Sequence, residues 1–190
     1  MWDLFHKHIS RYVSLTEKEF EPVKSFFVPR RYKKKQFILQ EGDVCRHESF
    51  IVKGCTRTYD ISPEGQEHIL QFGIEDWWIG DLYSYLSGTA SRCNIDCIED
   101  TEVLQITREQ QEALFAEVPA MERFFRILIQ NAFIASQSRI LTNLSRSGKE
   151  RYADFIAQYP LIDQRVPDHQ IASYLGLTPQ SLSRIRSRRV

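Results

Sequence analysis

Asp168-His169-Gln170-Ile171-Ala172-Ser173-Tyr174-Leu175-Gly176-Leu177-Thr178-Pro179-Gln180-Ser181-Leu182-Ser183-Arg184-Ile185-Arg186-Ser187 reads as two short helices joined by a tight turn. Ile171, Leu175, Leu182 and Ile185 are the apolar positions that lock two crossing helices, and Ala172 is small where they approach. Gly176 follows the first helix at the point where a left-handed residue is wanted. Leu177 plugs the turn, Thr178 is a good N-cap and Pro179 a good first helical residue. Small, glycine, apolar and cap residues fall at the spacing of a helix-turn-helix, and a coincidental helical hairpin is the competing reading.

In such a unit the second helix enters the DNA major groove with its N-terminal half. Gln180, Ser181 and Arg184 then share one face. Arg184 can donate two hydrogen bonds to a guanine edge and Gln180 can pair with adenine. Thr178, Ser183, Arg186, Arg188 and Arg189 are better placed for phosphates, which position the protein without specifying sequence. The chain carries no formal net charge, but from Val166 to Val190 four arginines face the single acid Asp168. That basic end on a neutral chain points to a local anionic partner. So short a module binds weakly alone, so two copies are expected on half-sites about one turn apart, ~34 Å.

The device for pairing lies upstream. Between Pro119 and Gly148 there is no proline and no glycine. Phe124, Ile127, Asn131, Ile134, Ser138, Leu141 and Ser145 recur at alternating steps of three and four, a heptad seam. The expected dimer interface is therefore Phe124, Ile127, Asn131, Ile134, Ser138 and Leu141, with Asn131 fixing register. A neighbouring stripe, Phe125, Leu128, Ala132 and Ala135, is also apolar and is expected to pack on the rest of the monomer. The alternative is a helix buried wholly in its own monomer.

Further upstream the period changes. Residues 1 to about 30 look helical, with Leu4, Phe5, His8, Ile9 and Tyr12 at helical spacing and Thr16 with Glu19 as a capping box. From about 30 to 107 short apolar runs alternate with turn residues. Phe37-Ile38-Leu39 precedes Glu41-Gly42-Asp43, Phe50-Ile51-Val52 precedes Lys53-Gly54, and Ser62-Pro63-Glu64-Gly65-Gln66 separates two alternating runs. Many short strands with regular turns predict a β-sandwich or barrel. The basic run Arg30-Arg31-Tyr32-Lys33-Lys34-Lys35 is expected as a solvated loop. Glu109 to Phe115 is a short helix, Pro119 opens the long one, and the helix containing Tyr152, Phe155 and Ile156 ends near Pro160.

Other classes find little support. No stretch approaches the ~20 apolar residues of a membrane span. The start Met1-Trp2-Asp3-Leu4-Phe5-His6-Lys7 lacks a secretory pattern, so a cytoplasmic location is expected. No HExxH, GxSxG or phosphate-cradling loop appears, so no enzyme and no metal is expected. Cys45, Cys55, Cys93 and Cys97 are expected as free thiols.

A β-rich domain, a long dimer helix and a terminal helix-turn-helix: in this order of parts the chain resembles the cAMP receptor protein/FNR (Crp/Fnr) family of bacterial regulators. The resemblance rests on Gly42-Asp43, Phe50-Ile51-Val52-Lys53-Gly54, Gly80-Asp81-Leu82, and Gln170 to Gly176 continuing to Ser183-Arg184-Ile185. It implies an α+β chain with a double-stranded β-helix (jelly roll) of the cyclic-nucleotide-binding type over residues 1–117. A dimerisation helix over 118–147 and a DNA-binding domain over 148–190 follow. The implied partners are double-stranded DNA, a second copy, RNA polymerase and a small-molecule effector.

The family's ligand cassette maps onto Gly80, Asp81 and Leu82 for the ribose and onto Ser91 and Arg92 for the cyclic phosphate. The family's arginine position falls on Ser91, and Arg92 beside it would point to the other face of a strand. A cyclic nucleotide is therefore not expected as the effector, because a buried phosphate without a cation is poorly compensated. The N-terminal cysteine cluster of oxygen-sensing relatives is absent, since no cysteine precedes Cys45. The family's wing hairpin after the recognition helix is not found before Val190, so weaker DNA binding is expected. The alternative function is a ligand-binding signalling module that has lost specific DNA binding.

Overall fold

A computed structural model describes residues 1–187 of the chain. Helix α1 (Trp2–Ile9) turns Phe5, His8 and Ile9 inward at helical spacing. Helix α2 (Glu17–Ser25) begins at the expected capping box, where the Glu19 carboxylate accepts from the Thr16 N–H at 2.9 Å. The strands then run β1 (Val28–Tyr32), β2 (Phe37–Leu39), β3 (His47–Lys53), β4 (Thr56–Ile61), β5 (Glu67–Gly73) and β6 (Trp78–Ile79). Helix α3 (Leu82–Ser87) interrupts them before β7 (Asn94–Cys97) and β8 (Thr101–Thr107). They form two four-stranded sheets, in the orders β1-β8-β3-β6 and β2-β7-β4-β5, paired antiparallel throughout. Two such sheets face to face make a jelly roll.

Strand alternation sorts the apolar residues. Along β3, Ile51 points into the roll and meets Leu39, Ile79, Ile95 and Val103. Phe50 points outward with Leu104 and Ile106 of β8, and there α1 and α2 cover them with Phe5, Ile9, Phe20 and Val23. Burying each of these large side chains contributes about 1.5–3 kcal/mol.

One expectation is corrected here. Arg30, Arg31 and Tyr32 are not loop but part of β1, paired with β8 in the register Arg31↔Glu102 and joined to it by an ion pair at 3.2 Å. Pro29 is tolerated because β1 is an edge strand. The helix containing Tyr152, Phe155 and Ile156 ends just before Pro160, as expected, and Pro160 itself opens a further short helix.

The remaining chain is helical: α4 (Arg108–Glu117), α5 (Ala120–Ser145), α6 (Gly148–Gln158), α7 (Pro160–Arg165), α8 (Asp168–Tyr174) and α9 (Pro179–Ser187). Capping boxes start α4, at Thr107 and Gln110, and α6, at Ser147 and Glu150. Pro160 takes the first turn of α7, where its missing N–H costs nothing. No helix among the described residues is long and apolar enough to cross a membrane.

Helix α5 starts against the roll and then leaves it. Met121, Phe124 and Phe125 are buried with Trp78 and α1, whereas Phe133, Ile134, Ile140, Leu141 and Leu144 are exposed. Helices α6 to α9 fold back onto the outer face of the second sheet. Tyr59, Ile69 and Phe72 of the roll share one core with Tyr152, Phe155, Ile162, Ile171 and Leu182. The roll is thus covered by helices on both faces.

Candidate nucleic-acid interface

The turn between α8 and α9 has the geometry that its residues dictate. Gly176 lies at φ +62°, the left-handed region open to glycine, and the Leu177 N–H returns to the Ala172 carbonyl at 2.8 Å. The Ser181 N–H donates to Thr178 Oγ1 at 3.2 Å, which caps α9. Ile171, Ala172 and Leu182 are fully buried and fix the crossing. Truncating Leu182 to alanine would cost about 2–5 kcal/mol.

The outer face of α9 carries Gln180, Ser183, Arg184 and Ser187, all exposed at steps of three, one and three. The Arg184 Nε donates to the Gln180 carbonyl at 3.4 Å, and Arg184 meets no carboxylate among the described residues. Thr178 is also exposed, at the leading end. Two expected contacts are placed differently. Ser181 is half-buried, and its Oγ lies 2.9 Å from Thr178 Oγ1, so it serves the cap rather than the open face. Arg186 turns back into the protein, reaching Asp163 at 2.5 Å and Asp168 at 2.9 Å, with its guanidinium 5.4 Å from the Tyr152 ring centroid. It holds α9 to α7 and α8 and is not free for phosphate. Arg188 and Arg189 lie outside the described residues.

The expected dimer seam is brought together only in part. Phe124 is fully buried in its own monomer, within 5.8 Å of His8 and 6.1 Å of Trp78 between ring centroids. It cannot meet a second copy, and this corrects the seam. Ile127 is half-buried, and Asn131, Ile134, Ser138 and Leu141 are exposed. The open apolar face is centred further round the helix, on Phe133, Ile140 and Leu144, the last 82 % exposed. A second heptad, 133, 137, 140 and 144, carries it. Its polar member Gln137 hid it in the sequence.

Three residues that dock the helix-turn-helix on the roll were also missed. Ser173 of α8 donates to the Glu67 carbonyl at 2.9 Å and accepts from the Ile69 N–H at 3.0 Å. Arg139 of α5 donates to the carbonyls of Leu70 and of Ile69. These side chains satisfy the free edge of β5, which would otherwise present unpaired backbone groups. Arg165 of α7 pairs with Glu75 and Glu99, each at 2.7 Å. No local pattern marks such residues, because their partners lie far along the chain.

The expected ligand cassette is closed on itself. Asp81 caps α3, accepting from the Ser84 N–H at 3.2 Å, and its second oxygen accepts from Ser91 Oγ at 2.7 Å. Leu82 joins the roll interior, Ser91 is buried and Arg92 is exposed. A cavity of about 430 Å³ in the roll is lined by Leu39, Cys45, His47, Gly80, Ile95 and Gln105 among others. Of the five expected ligand residues only Gly80 reaches it. With Arg92 turned to solvent and Asp81 engaged, these residues do not fit a cyclic phosphate.

Opposite Gly80 lies Glu48, buried and with one oxygen lacking a hydrogen bond. A Cβ on Gly80 would come within 2.5 Å of that oxygen, so a larger residue there would have to push the Glu48 carboxyl aside. Burial, reinforced by the charge of Asp81, raises the Glu48 carboxyl to about 8. All four cysteines are free, and no cluster suited to a metal ion exists among the described residues.

Comparison with known proteins agrees with this layout. The cyclic nucleotide-binding domain model matches residues 29–118. The transcriptional activator protein Anr of Pseudomonas aeruginosa is 24 % identical over 176 residues, covering 84 % of this chain and 69 % of its own. The fumarate and nitrate reduction regulatory protein of Vibrio cholerae is 24 % identical over 189 residues, covering 92 % and 74 %. Among solved structures, FixK2 of Bradyrhizobium japonicum superposes with a TM-score of 0.69 at 23 % identity, over 85 % of this chain and 83 % of its own. The fold and the terminal unit define a β-roll protein with an appended helix-turn-helix. Over most of its length the chain is similar to regulators of the Crp/Fnr type.

Proposed function

We propose that the chain is a DNA-binding transcription regulator that acts as a homodimer in the cytoplasm. One observation carries this reading: a capped, rigidly packed α9 presents Gln180, Ser183 and Arg184 outward, with Arg184 unclaimed by any carboxylate among the described residues. An arginine so placed can donate two parallel hydrogen bonds to a guanine, and a glutamine one step earlier on that face can read adenine. Ser183 is available for phosphates, and Thr178 stands exposed at the leading end of α9 with its hydroxyl engaged in the cap. Residues 1–117 serve as sensor, 118–147 as dimer helix and 148–190 as reader. The paired surface is the exposed face of α5, with Ile134 and Leu141 from the expected seam joined by Phe133, Ile140 and Leu144. RNA polymerase is the further partner of such a regulator. A ligand-binding module without DNA affinity would have no need of a free arginine on this face.

The test is binding to a duplex selected from a random pool, measured by fluorescence anisotropy across a salt series. Log affinity is expected to fall with log salt by about 0.9 per neutralised phosphate. Arg184→Ala should remove about 1–3 kcal/mol of discrimination between selected and random duplexes. Discrimination unchanged by Arg184→Ala would refute the assignment of α9 as the reader.

A further inference from the structure

A second cavity, of about 830 Å³, separates α5 from β5 and from the C-terminal helices. On α5 the cleft is lined by the small side chains Ala132, Ala135 and Ser136, which leave room beside the helix, and by Arg139. The facing walls are aromatic, and basic residues come from both sides, Arg139 and Arg146 from α5 and its C-cap and Arg151 from α6. Trp77, Tyr159 and Tyr174 line it together with Arg139, Arg146 and Arg151. We propose that this cleft is a binding site for a phosphate-bearing small molecule of nucleotide size.

The charge balance points to an anion. Arg146 is paired with Asp154 at 2.7 Å, but Arg139 and Arg151 meet no carboxylate among the described residues. Arg139 bonds to backbone carbonyls only, and its guanidinium lies 4.2 Å from the Tyr174 ring centroid. Burial lowers its pKa, the mark of a cation held without a counter-charge. Arg151 has a buried Nε with no hydrogen-bond partner. Two guanidiniums without a carboxylate partner among the described residues share one cleft, and guanidiniums bind phosphate by paired, charge-assisted hydrogen bonds. The aromatic wall offers a flat ring the stacking surface that a bare anion does not need, and the volume lies within the range of small-molecule sites.

The site is independent of the roll cavity and of the dimer face. Ala132, Ala135 and Arg139 lie on a different side of α5 from Phe133, Ile140 and Leu144, about 130° round the helix, so pairing through the latter leaves the cleft open. It touches the roll, the long helix and the helix-turn-helix unit at once. A ligand there would set their relative position, and that regulatory consequence rests on the function proposed above, whereas the binding does not.

The experiment is isothermal titration of the full chain with adenosine 5′-monophosphate and with inorganic pyrophosphate, alongside duplex binding in the same samples. Saturable binding of both is expected, tighter for the mononucleotide. Arg151→Gln, which breaks no ion pair, should weaken both by roughly tenfold or more, the loss expected for one charge-assisted hydrogen bond. Arg139→Gln should do the same, and Asp81→Asn in the roll should leave both unchanged. Absence of saturable heat at millimolar probe, Arg151→Gln binding as wild type does, or loss confined to Asp81→Asn would each overturn the site. Anion binding without any duplex binding would instead count against the proposed function alone.

Discussion

Arg184 and Arg186 sit two residues apart on α9 and have opposite fates. Arg184 projects from the exposed face, whereas Arg186 is neutralised by Asp163 and Asp168. Counting the arginines of the terminal segment therefore overstates the charge offered to a partner. What decides is rotational phase, since two residues rotate a side chain by about 200°. The same logic, in the absence of a cation, governs Glu48. Its folded-state pKa of about 8 stands above the ordinary 4.5, so the native state holds the proton more tightly than the unfolded chain. Its contribution is full below pH 4.5 and is lost as pH rises toward about 8. Glu48→Gln keeps the shape without the ionisation. Thermal melts should show the wild type losing stability across that window and Glu48→Gln losing less. Parallel pH profiles of the two proteins would refute the burial account.

At the scale of elements, the legible parts were those specified locally. Thr16 with Glu19, the alternating Thr56 to Ile61, and Gly176 followed by Thr178-Pro179 each encode a cap, a strand or a turn within a few residues, and each forms as read. The misread parts depend on distant neighbours. Strand β1 is Val-Pro-Arg-Arg-Tyr, polar and mostly exposed, and it is a strand only because β8 lies alongside. Helix α5 shows both limits. Its freedom from proline and glycine announced a long helix, but which stripe meets solvent depends on where the roll sits. Phe124, the first residue of the expected seam, is inside, and Leu144, outside the expected interface, is the most exposed large apolar residue of the helix. Leu141→Asp combined with Leu144→Asp places charge on the proposed pairing face and touches nothing in the monomer core. Sedimentation should show a shift from dimer to monomer, with helical circular dichroism unchanged. A dimer that survives both substitutions would move the interface elsewhere.

On the scale of the whole molecule, the roll is a platform with helices on both faces. The N-terminal helices and the base of α5 cover one sheet, and the helix-turn-helix domain covers the other. The reader is consequently not tethered loosely. Ser173 and Arg139 satisfy the open edge of β5, and Arg165 bridges to Glu75 and Glu99. Any change in the roll or in the cleft beside α5 is mechanically linked to α9. The Crp/Fnr-like architecture was legible from the order of its parts, whereas this docking was not, because residues 66 to 106 positions apart form it.

The most direct test of the central claim is selection of bound duplexes from a random pool, followed by measuring the number of chains per selected duplex. Two chains on a two-fold-symmetric sequence with half-sites about 34 Å apart is the predicted result. Failure to enrich any sequence, or a single chain bound to an asymmetric site, would contradict it.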